Sequence, residues 1–172
     1  MIKLVEPSEQ YIKSYIEASD EYDEHDVPYY GLADARKIDI LEDFDRSRNE
    51  RDLEPGRVGA HFFWLVDDEK DYFIGEIVIR HNLDEELERY GGHIGYGIRF
   101  FEWNKGYATL MLKLALEEAK KIGLSKILIT CFDSNIASAR VMEKNGFVLG
   151  DRIENAFNDG STCITRRYWK TI

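Results

Sequence analysis

Residues 104–109, Asn-Lys-Gly-Tyr-Ala-Thr, lie where an apolar, strand-like run gives way to an amphipathic helical pattern. The first backbone N–H groups of a helix have no partner within the helix and carry the positive end of its dipole, so such a junction binds anions. Gly106 lets the main chain approach a ligand closely, Ala108 keeps the next turn small, and Asn104 tolerates a left-handed conformation. Lys105 adds a positive charge. The stretch therefore predicts a cradle of amides for a phosphate or pyrophosphate.

Two familiar phosphate-binding motifs are missing from this junction. No Gly-Lys-Ser/Thr sequence stands at the spacing of a P-loop, and no Gly-x-Gly-x-x-Gly opens the helix. For these six residues taken alone, an ordinary strand-to-helix turn with a surface lysine is the alternative interpretation.

Two titratable side chains in nearby strand-like runs could accept a proton. His93 opens the run 93–100, and the ordinary histidine pKa of about 6.5 suits a general base. Glu76 lies in the middle of the run 72–80, where a carboxylate that faces a cleft could order a water molecule. The alternatives are a structural histidine bonded to the backbone and a glutamate exposed to solvent. His81 is a third candidate.

Composition excludes several classes of function. The formal charge of −10 provides no basic excess for nucleic acid, and no apolar run approaches the roughly 18 residues of a membrane span. Cys131 and Cys163 lie in apolar runs and are interpreted as small buried residues. Without a CxxC or HExxH motif, no metal site is predicted. The first residues lack a secretion-signal pattern, so we expect a cytoplasmic protein that binds neither nucleic acid nor membranes.

The elements that position these residues alternate between helical and strand periodicity. Apolar spacing predicts helices over about 8–22, 33–50, 108–122 and 134–146. Strand patterns cover 2–7, 61–67, 72–80, 93–100, 126–132, 147–153 and 162–170. The second helix would bury Ile38, Leu41 and Phe44. The order β-α-α-β-β-β-α-β-α-β-β predicts a single α/β (α+β) domain over residues 1–172.

The stretch 93–147 resembles the GCN5-related N-acetyltransferase (GNAT) family. The acetyl-CoA motif of that family, [Q/R]-x-x-G-x-[G/A], corresponds to residues 103–108, in which Gly106 and Ala108 match and Trp103 replaces the leading Arg or Gln. Residues 135–147, N-I-A-S-A-R-V-M-E-K-N-G-F, resemble the second family motif, an Asn-led helix that ends in a Gly-Phe turn. The order of elements agrees with the family fold, which implies a central mixed, mostly antiparallel, twisted sheet of about seven strands flanked by helices.

The resemblance implies that acetyl-CoA is the cosubstrate and lies between the runs 93–100 and 126–132, which splay apart. Its pantetheine arm would bond the backbone of the first run, and its pyrophosphate would bind the helix-opening amides. The residues implied for the cofactor are Ile98, Phe100, Asn104, Lys105, Gly106, Tyr107, Ala108, Thr109 and Asn135. Trp103 removes one side-chain contact of the motif, whereas any residue supplies a backbone N–H.

The implied reaction is direct attack on the thioester by a primary amine of a small molecule or peptide. A lysine-like amine has a pKa of about 10.4, so a base must remove its proton, and we expect His93 or Glu76 to do so. The backbone N–H near Ile98 would stabilise the oxyanion.

The proton donor to the leaving thiolate is the weakest part of the resemblance. Many relatives use a tyrosine of the second motif, and Met142 stands at that position and cannot donate a proton. Ser138, Cys131 and Tyr168 are the substitutes that the sequence offers.

Residues 17–31 lie where this family usually frames its acceptor. Six carboxylates with Tyr22, Tyr29 and Tyr30 would suit a cationic amine, and a solvated acidic face is the alternative. Met142 and Trp103 favour a second function, a non-catalytic acyl-CoA-binding or regulatory module on the same fold. A partner-binding protein without a CoA site is a third, and a homodimer is compatible with the sequence.

Overall fold

The computed structural model describes residues 1–28, 33–156 and 159–172, and within them the chain forms four α-helices and seven β-strands. The helices are α1 (Glu9–Glu24), α2 (Ile40–Arg48), α3 (Tyr107–Ile122) and α4 (Ile136–Lys144). The strands are β1 (Ile2–Val5), β2 (Ala60–Asp67), β3 (Tyr72–Arg80), β4 (Ile94–Ile98), β5 (Lys126–Phe132), β6 (Val148–Ala156) and β7 (Thr162–Thr171). The predicted order of elements is confirmed.

The strands form two sheets that part between β4 and β5. The first sheet has the order β1-β2-β3-β4 and the second has the order β5-β7-β6. Every ladder among the described residues is antiparallel. An isolated bridge between Gly92 and Ile129 joins the two sheets just before β4 begins. The predicted α/β architecture with mostly antiparallel strands is thus confirmed, but the seven strands are divided between two sheets rather than joined in one.

The first sheet is covered on both faces because two apolar clusters pack against it. Ile77 and Ile79 of β3 belong to the cluster that includes α3 and α4. Phe73 of β3 belongs to the other cluster, which includes α1, α2 and Trp64 of β2. Because side chains alternate along a strand, Glu76 lies on the face opposite Ile77, where it contacts Trp64. A register shift between Leu65 and Val66 of β2 brings Phe73 to that same face.

Helix α2 is shorter than the sequence pattern predicted. It begins at Ile40 rather than near residue 33, because the Asp39 side chain accepts the Glu42 N–H (3.2 Å) and caps the helix there. Ile38, predicted to be buried, is 47% exposed, and Ile40 takes its place in the core. The prediction for this helix was therefore wrong over 33–39.

Strand β4 also ends earlier than predicted. It stops at Ile98, and Phe100 begins a single 3₁₀ turn, Phe100–Glu102. The Phe100 carbonyl accepts the Trp103 N–H (3.2 Å) within that turn. Tyr29 and Tyr30, which the sequence placed near the acceptor, lie outside the described residues. Of the described helices, none is long and apolar enough to cross a membrane.

Candidate active site

The start of α3 presents a row of backbone N–H groups. Gly106 (φ 86°) and Asn104 (φ 62°) both adopt the left-handed conformation that the sequence favours. The first hydrogen bond of α3 runs from the Leu110 N–H to the Gly106 carbonyl (3.1 Å). The N–H groups that precede Leu110 therefore have no partner within the helix. No acceptor among the described residues takes any N–H of 104–109. A Cβ at Gly106 would meet no atom within 4 Å, so the turn faces open space.

Side chains around this turn fix its position and moderate its charge. The Lys105 Nζ lies 3.0 Å from Glu102 Oε2, and Lys105 is exposed. The Thr109 carbonyl accepts a hydrogen bond from Asn145 Nδ2 (3.2 Å). The first turn of α3 is thereby anchored to the end of α4, whereas its N–H groups point away from the protein core.

The register of β4 determines which of its backbone groups face the gap. At one end of β4, His93 O accepts the Arg80 N–H (2.7 Å), and at the other end the Arg99 N–H donates to Ile74 O (2.8 Å). Every second residue from His93 to Arg99 therefore directs its backbone groups toward β3. The backbone groups of Ile98 and of Tyr96 consequently face away from β3, toward β5. An unpaired strand edge of this kind offers amides and carbonyls to an extended ligand.

Trp103 contacts this edge directly. Its indole Nε1 donates to Ile98 O (2.7 Å), and the Tyr22 hydroxyl of α1 donates to the same carbonyl. The residue that replaces the Arg or Gln of the family motif therefore bonds the strand rather than reaching for a phosphate. This contact could not be predicted from the sequence, because it depends on how the 3₁₀ turn folds back.

Asn135 caps α4, as its place in the second motif suggests. Its Oδ1 accepts the Ser138 N–H (3.0 Å). The Asn135 side chain is exposed, and its amide N–H groups have no acceptor in the part of the chain that the structure describes. These N–H groups could bind a ligand at the mouth of the gap.

Glu76 is buried, in contrast to the solvent-exposed alternative. Only 2% of it is exposed, and its Oε2 accepts the Trp64 Nε1–H (2.8 Å). Burial raises the pKa of Glu76 to about 8, and hydrogen bonds from Trp64 and Tyr15 oppose that rise. The side chain lines an open cavity of about 430 Å³. A carboxyl group with a pKa near neutrality suits proton transfer.

His93 connects the two sheets. Its backbone N–H donates to Leu128 O (2.8 Å), and its Nδ1 accepts the Leu128 N–H (3.0 Å). The neutral ring then carries its hydrogen on Nε2 and has no free lone pair. Burial, with the nearby positive charge of Arg80, lowers the pKa of His93. This geometry matches the structural alternative, and a role for His93 as the base stays a prediction that would require the bond to Leu128 to break.

His81, the third candidate base, lies in a separate cluster. Its Nδ1 contacts Glu50 Oε1 (2.7 Å), and its Nε2 contacts His61 Nδ1 (2.7 Å). This cluster contains neither Glu76 nor His93. Among the described residues no group of three or more His, Cys, Asp or Glu side chains could hold a metal ion.

Met142 is fully buried in the core, so the position of the usual family tyrosine has a packing role here. Of the substitutes, the Ser138 Oγ lies 2.8 Å from the Tyr96 hydroxyl, next to the buried Cys131 thiol. Burial raises the pKa of Tyr96 to about 12. Tyr168, by contrast, donates to Glu143 (2.9 Å).

Sequence reasoning missed Tyr96 as a polar residue that spans the gap from β4 to α4. Its position two residues before Ile98 was the available signal, since alternate residues of a strand share one face.

The acidic segment 17–31 is largely paired with arginines of the same chain. Arg36 contacts Asp20 (2.6 Å) and Asp23 (2.8 Å), and Arg99 contacts Glu21 (2.6 Å) and Glu17 (3.6 Å). Four of the six carboxylates thus share two guanidinium groups, and Arg36 also contacts Asp34 (2.8 Å), so their charge is only partly compensated within the protein. The electrostatic case for a cationic acceptor is correspondingly weaker than the sequence suggested.

Comparisons with known proteins agree with this architecture. A sequence profile of the family described as Acetyltransferase (GNAT) domain matches residues 6–148. No curated protein sequence matches the chain.

Solved structures resemble the whole chain at low sequence identity. The microcin C7 self-immunity acetyltransferase MccE, in complex with acetyl-CoA and AMP, is 17% identical with a TM-score of 0.69, covering 99% of this chain and 92% of its own. The ribosomal L7/L12 α-N-protein acetyltransferase RimL, in complex with coenzyme A, is 15% identical with a TM-score of 0.70, covering 99% and 94%. A GNAT acetyltransferase from Bacillus anthracis is 19% identical with a TM-score of 0.67, covering 99% and 94%. At these identities the likeness supports the fold, and together with the profile match it shows that the chain belongs to the GNAT acetyltransferase family.

Proposed function

We propose that this protein transfers an acetyl group from acetyl-CoA to a primary amine of a small molecule or peptide. The observation that carries the proposal is the row of N–H groups at 104–109, which have no described acceptor and face open space in front of the left-handed Gly106. A pyrophosphate is the anion that fits a helix N-terminus with several converging amides. Residues 1–172 would act as one domain.

The cofactor would extend from this turn along the open edge of β4. Amides of residues 104–109 and the Lys105 ammonium would hold the pyrophosphate, and the Ile98 N–H would bond the pantetheine arm. The Asn135 amide would contact the CoA arm from the start of α4. Phe100 would contribute its ring rather than its carbonyl, because that carbonyl already accepts the Trp103 N–H.

In the proposed reaction, the amine nitrogen attacks the thioester carbonyl carbon. The oxyanion that forms would be stabilised by a backbone N–H at the open edge of β4, and the C–S bond then breaks as the amide forms. Glu76, directly or through a water molecule, would take the proton that the amine loses. The thiolate of CoA would receive a proton from the group formed by Tyr96, Ser138 and Cys131.

A non-catalytic acyl-CoA-binding module is the second candidate. Two observations favour it: Met142 is buried where a proton donor would stand, and Trp103 occupies the Ile98 carbonyl. Thiol release from acetyl-CoA, assayed with a panel of amines, separates the two functions when combined with calorimetric titration of acetyl-CoA. Turnover with any amine supports the enzyme, and tight binding without turnover supports the module. Absence of binding at millimolar acetyl-CoA would overturn both.

A further inference from the structure

The cavity beside Glu76 has a floor of strand and a wall of helix. Its floor is β3, from Glu76 through Val78 to Arg80, and one wall is α2 with Phe44. This is the face of the first sheet that α1 and α2 cover. A cavity of about 430 Å³ is large enough for a small ligand, and it begins at the residue proposed to take the proton.

The charged side chains of this cavity are not equally compensated. Arg57 forms two hydrogen bonds to the Asp43 carboxylate (3.1 and 3.2 Å), which Arg46 also contacts (3.2 Å), so Arg57 has an acidic partner that it shares with a second arginine. Within the part of the chain that the structure describes, the Arg80 side chain bonds only backbone carbonyls, those of Gly91 (3.4 Å) and Gly92 (2.9 Å), and both contacts use Nη1. No carboxylate among the described residues forms an ion pair with Arg80.

Burial lowers the pKa of Arg80, although Asp84 opposes that effect from a distance. A half-buried guanidinium without an acidic partner is an unfavourable arrangement. Its Nε and Nη2 donors form one planar edge, which matches a carboxylate in a bidentate hydrogen bond. The cavity therefore contains one cation, Arg80, that has no acidic partner within residues 1–28, 33–156 and 159–172.

Strand β4 pairs with β3 beside this cavity and is bare on the same face of the sheet. Gly97 pairs with Glu76 and Gly95 pairs with Val78, so neither position places a side chain over the strand. The Arg80 guanidinium lies above Gly95, 3.7 and 3.8 Å from where a Cβ would stand. Two residues of a strand span about 7 Å, which sets the separation between the region of Glu76 and the cation.

We propose that the acceptor is an amine that also carries a carboxylate, with the two groups about 7 Å apart, and that Arg80 binds this carboxylate. The amine lies over Gly97 beside Glu76, and the carboxylate lies over Gly95. The inference deepens the proposed acetyl transfer and rests on it, because it names the class of substrate that the same site takes.

Matched pairs of amines test the inference on the unmodified protein. Glycylglycine and glycylglycinamide differ only in the charge at the end remote from the amine. Calorimetry measures the binding of each, and thiol release from acetyl-CoA measures kcat/KM. The carboxylate member is expected to bind about 10- to 100-fold more tightly, with a similar gain in kcat/KM, as a hydrogen-bonded charge pair provides.

Two variants locate the effect. Arg80→Gln is expected to abolish the preference for the carboxylate, and Arg80→Lys, which keeps the charge and one contact to the Gly92 carbonyl, retains part of it. The matched control is Arg57→Gln, which removes an arginine from the same cavity but one already paired with Asp43. The carboxylate preference should persist in this control.

The outcomes separate this inference from acetyl transfer itself. Equal binding and equal kcat/KM for both members, with measurable turnover, would overturn the role of Arg80 and leave acetyl transfer standing. Tighter binding of the carboxylate member without turnover of either would overturn acetyl transfer and retain the carboxylate site. Neither discrimination nor turnover would overturn both.

Discussion

Replacing Glu76 with glutamine should remove a pH-dependent loss of stability. The pKa of the buried carboxyl rises from its ordinary 4.5 to about 8, so the folded protein holds a proton there that the unfolded chain has released. The contribution of this protonated carboxyl to the free energy of unfolding is complete below about pH 4.5 and is lost as the pH rises through about 8. At about 1.4 kcal/mol for each pH unit, the full loss is about 5 kcal/mol. That is a large part of the usual stability of a domain, about 5–15 kcal/mol.

Urea unfolding of wild type and Glu76→Gln at about pH 5, 6, 7 and 8 measures this effect. The glutamine keeps an oxygen for the Trp64 Nε1–H, so the variant carries a constant cost but no titration. The stability of the variant relative to wild type should rise by about 4 kcal/mol between pH 5 and pH 8. Glu54→Gln, in an exposed loop, is the control and should show no comparable change.

A flat difference between wild type and Glu76→Gln across this range would refute the reasoning, because it would mean that Glu76 is ionised in the folded protein throughout. The same variant reports on the proposed catalysis. Wild-type turnover should rise as the pH approaches about 8, and the variant should lose about 10²- to 10⁴-fold in rate.

Two further substitutions test the cofactor cleft, and a third tests the structural role of His93. Gly106→Val should abolish the binding of acetyl-CoA, measured by calorimetry, because the side chain fills the space in front of the amides. Gly123→Val, at the other end of α3, is the control, since it imposes the same left-handed strain and should leave the affinity unchanged. Equal losses of affinity in both variants would count against the phosphate cradle. Trp103→Phe removes one of the two donors to the Ile98 carbonyl, and the Tyr22 hydroxyl keeps the other. Because the cofactor is proposed to bond the Ile98 N–H, acetyl-CoA affinity should be nearly unchanged, and a large loss would show that Trp103 itself contacts the cofactor. His93→Ala leaves a backbone N–H without its acceptor and should lower the free energy of unfolding by about 1–3 kcal/mol; a normal urea midpoint would contradict the structural role.

Features set by neighbours in sequence could be predicted from the sequence. The left-handed turn at Asn104 and Gly106 follows from local backbone preferences, and α3 follows from its apolar spacing up to Gly123. Helix α2 was mispredicted because apolar spacing alone extended it past Asp39, whose side chain caps the true first turn. The capping side chain of Asp39 therefore decides where the helix begins, although the apolar spacing continues before it.

Features set by distant packing could not be predicted. In the sequence, Glu76 has the pattern of an ordinary strand residue. In the folded protein α1 and Trp64 cover it, and this burial raises its pKa. Arg80 has the same difficulty, because its lack of an acidic partner becomes visible only when the cavity around it is assembled. His93 was expected to open a strand, but it lies just before β4, and its bond to the Leu128 amide of the other sheet has no signal in the sequence.

The parting of the sheets has a consequence for two of the edge strands, β4 and β5, whereas β1 and β6 form the outer edges of the two sheets. Exposed strand edges are templates on which another chain can add. Here the edge of β4 and that of β5 face each other across an internal cleft, and Trp103 and Tyr22 cap a carbonyl of the former. The unpaired backbone groups of these two strand edges can therefore remain available to a ligand without being offered to a strand of a second protein molecule.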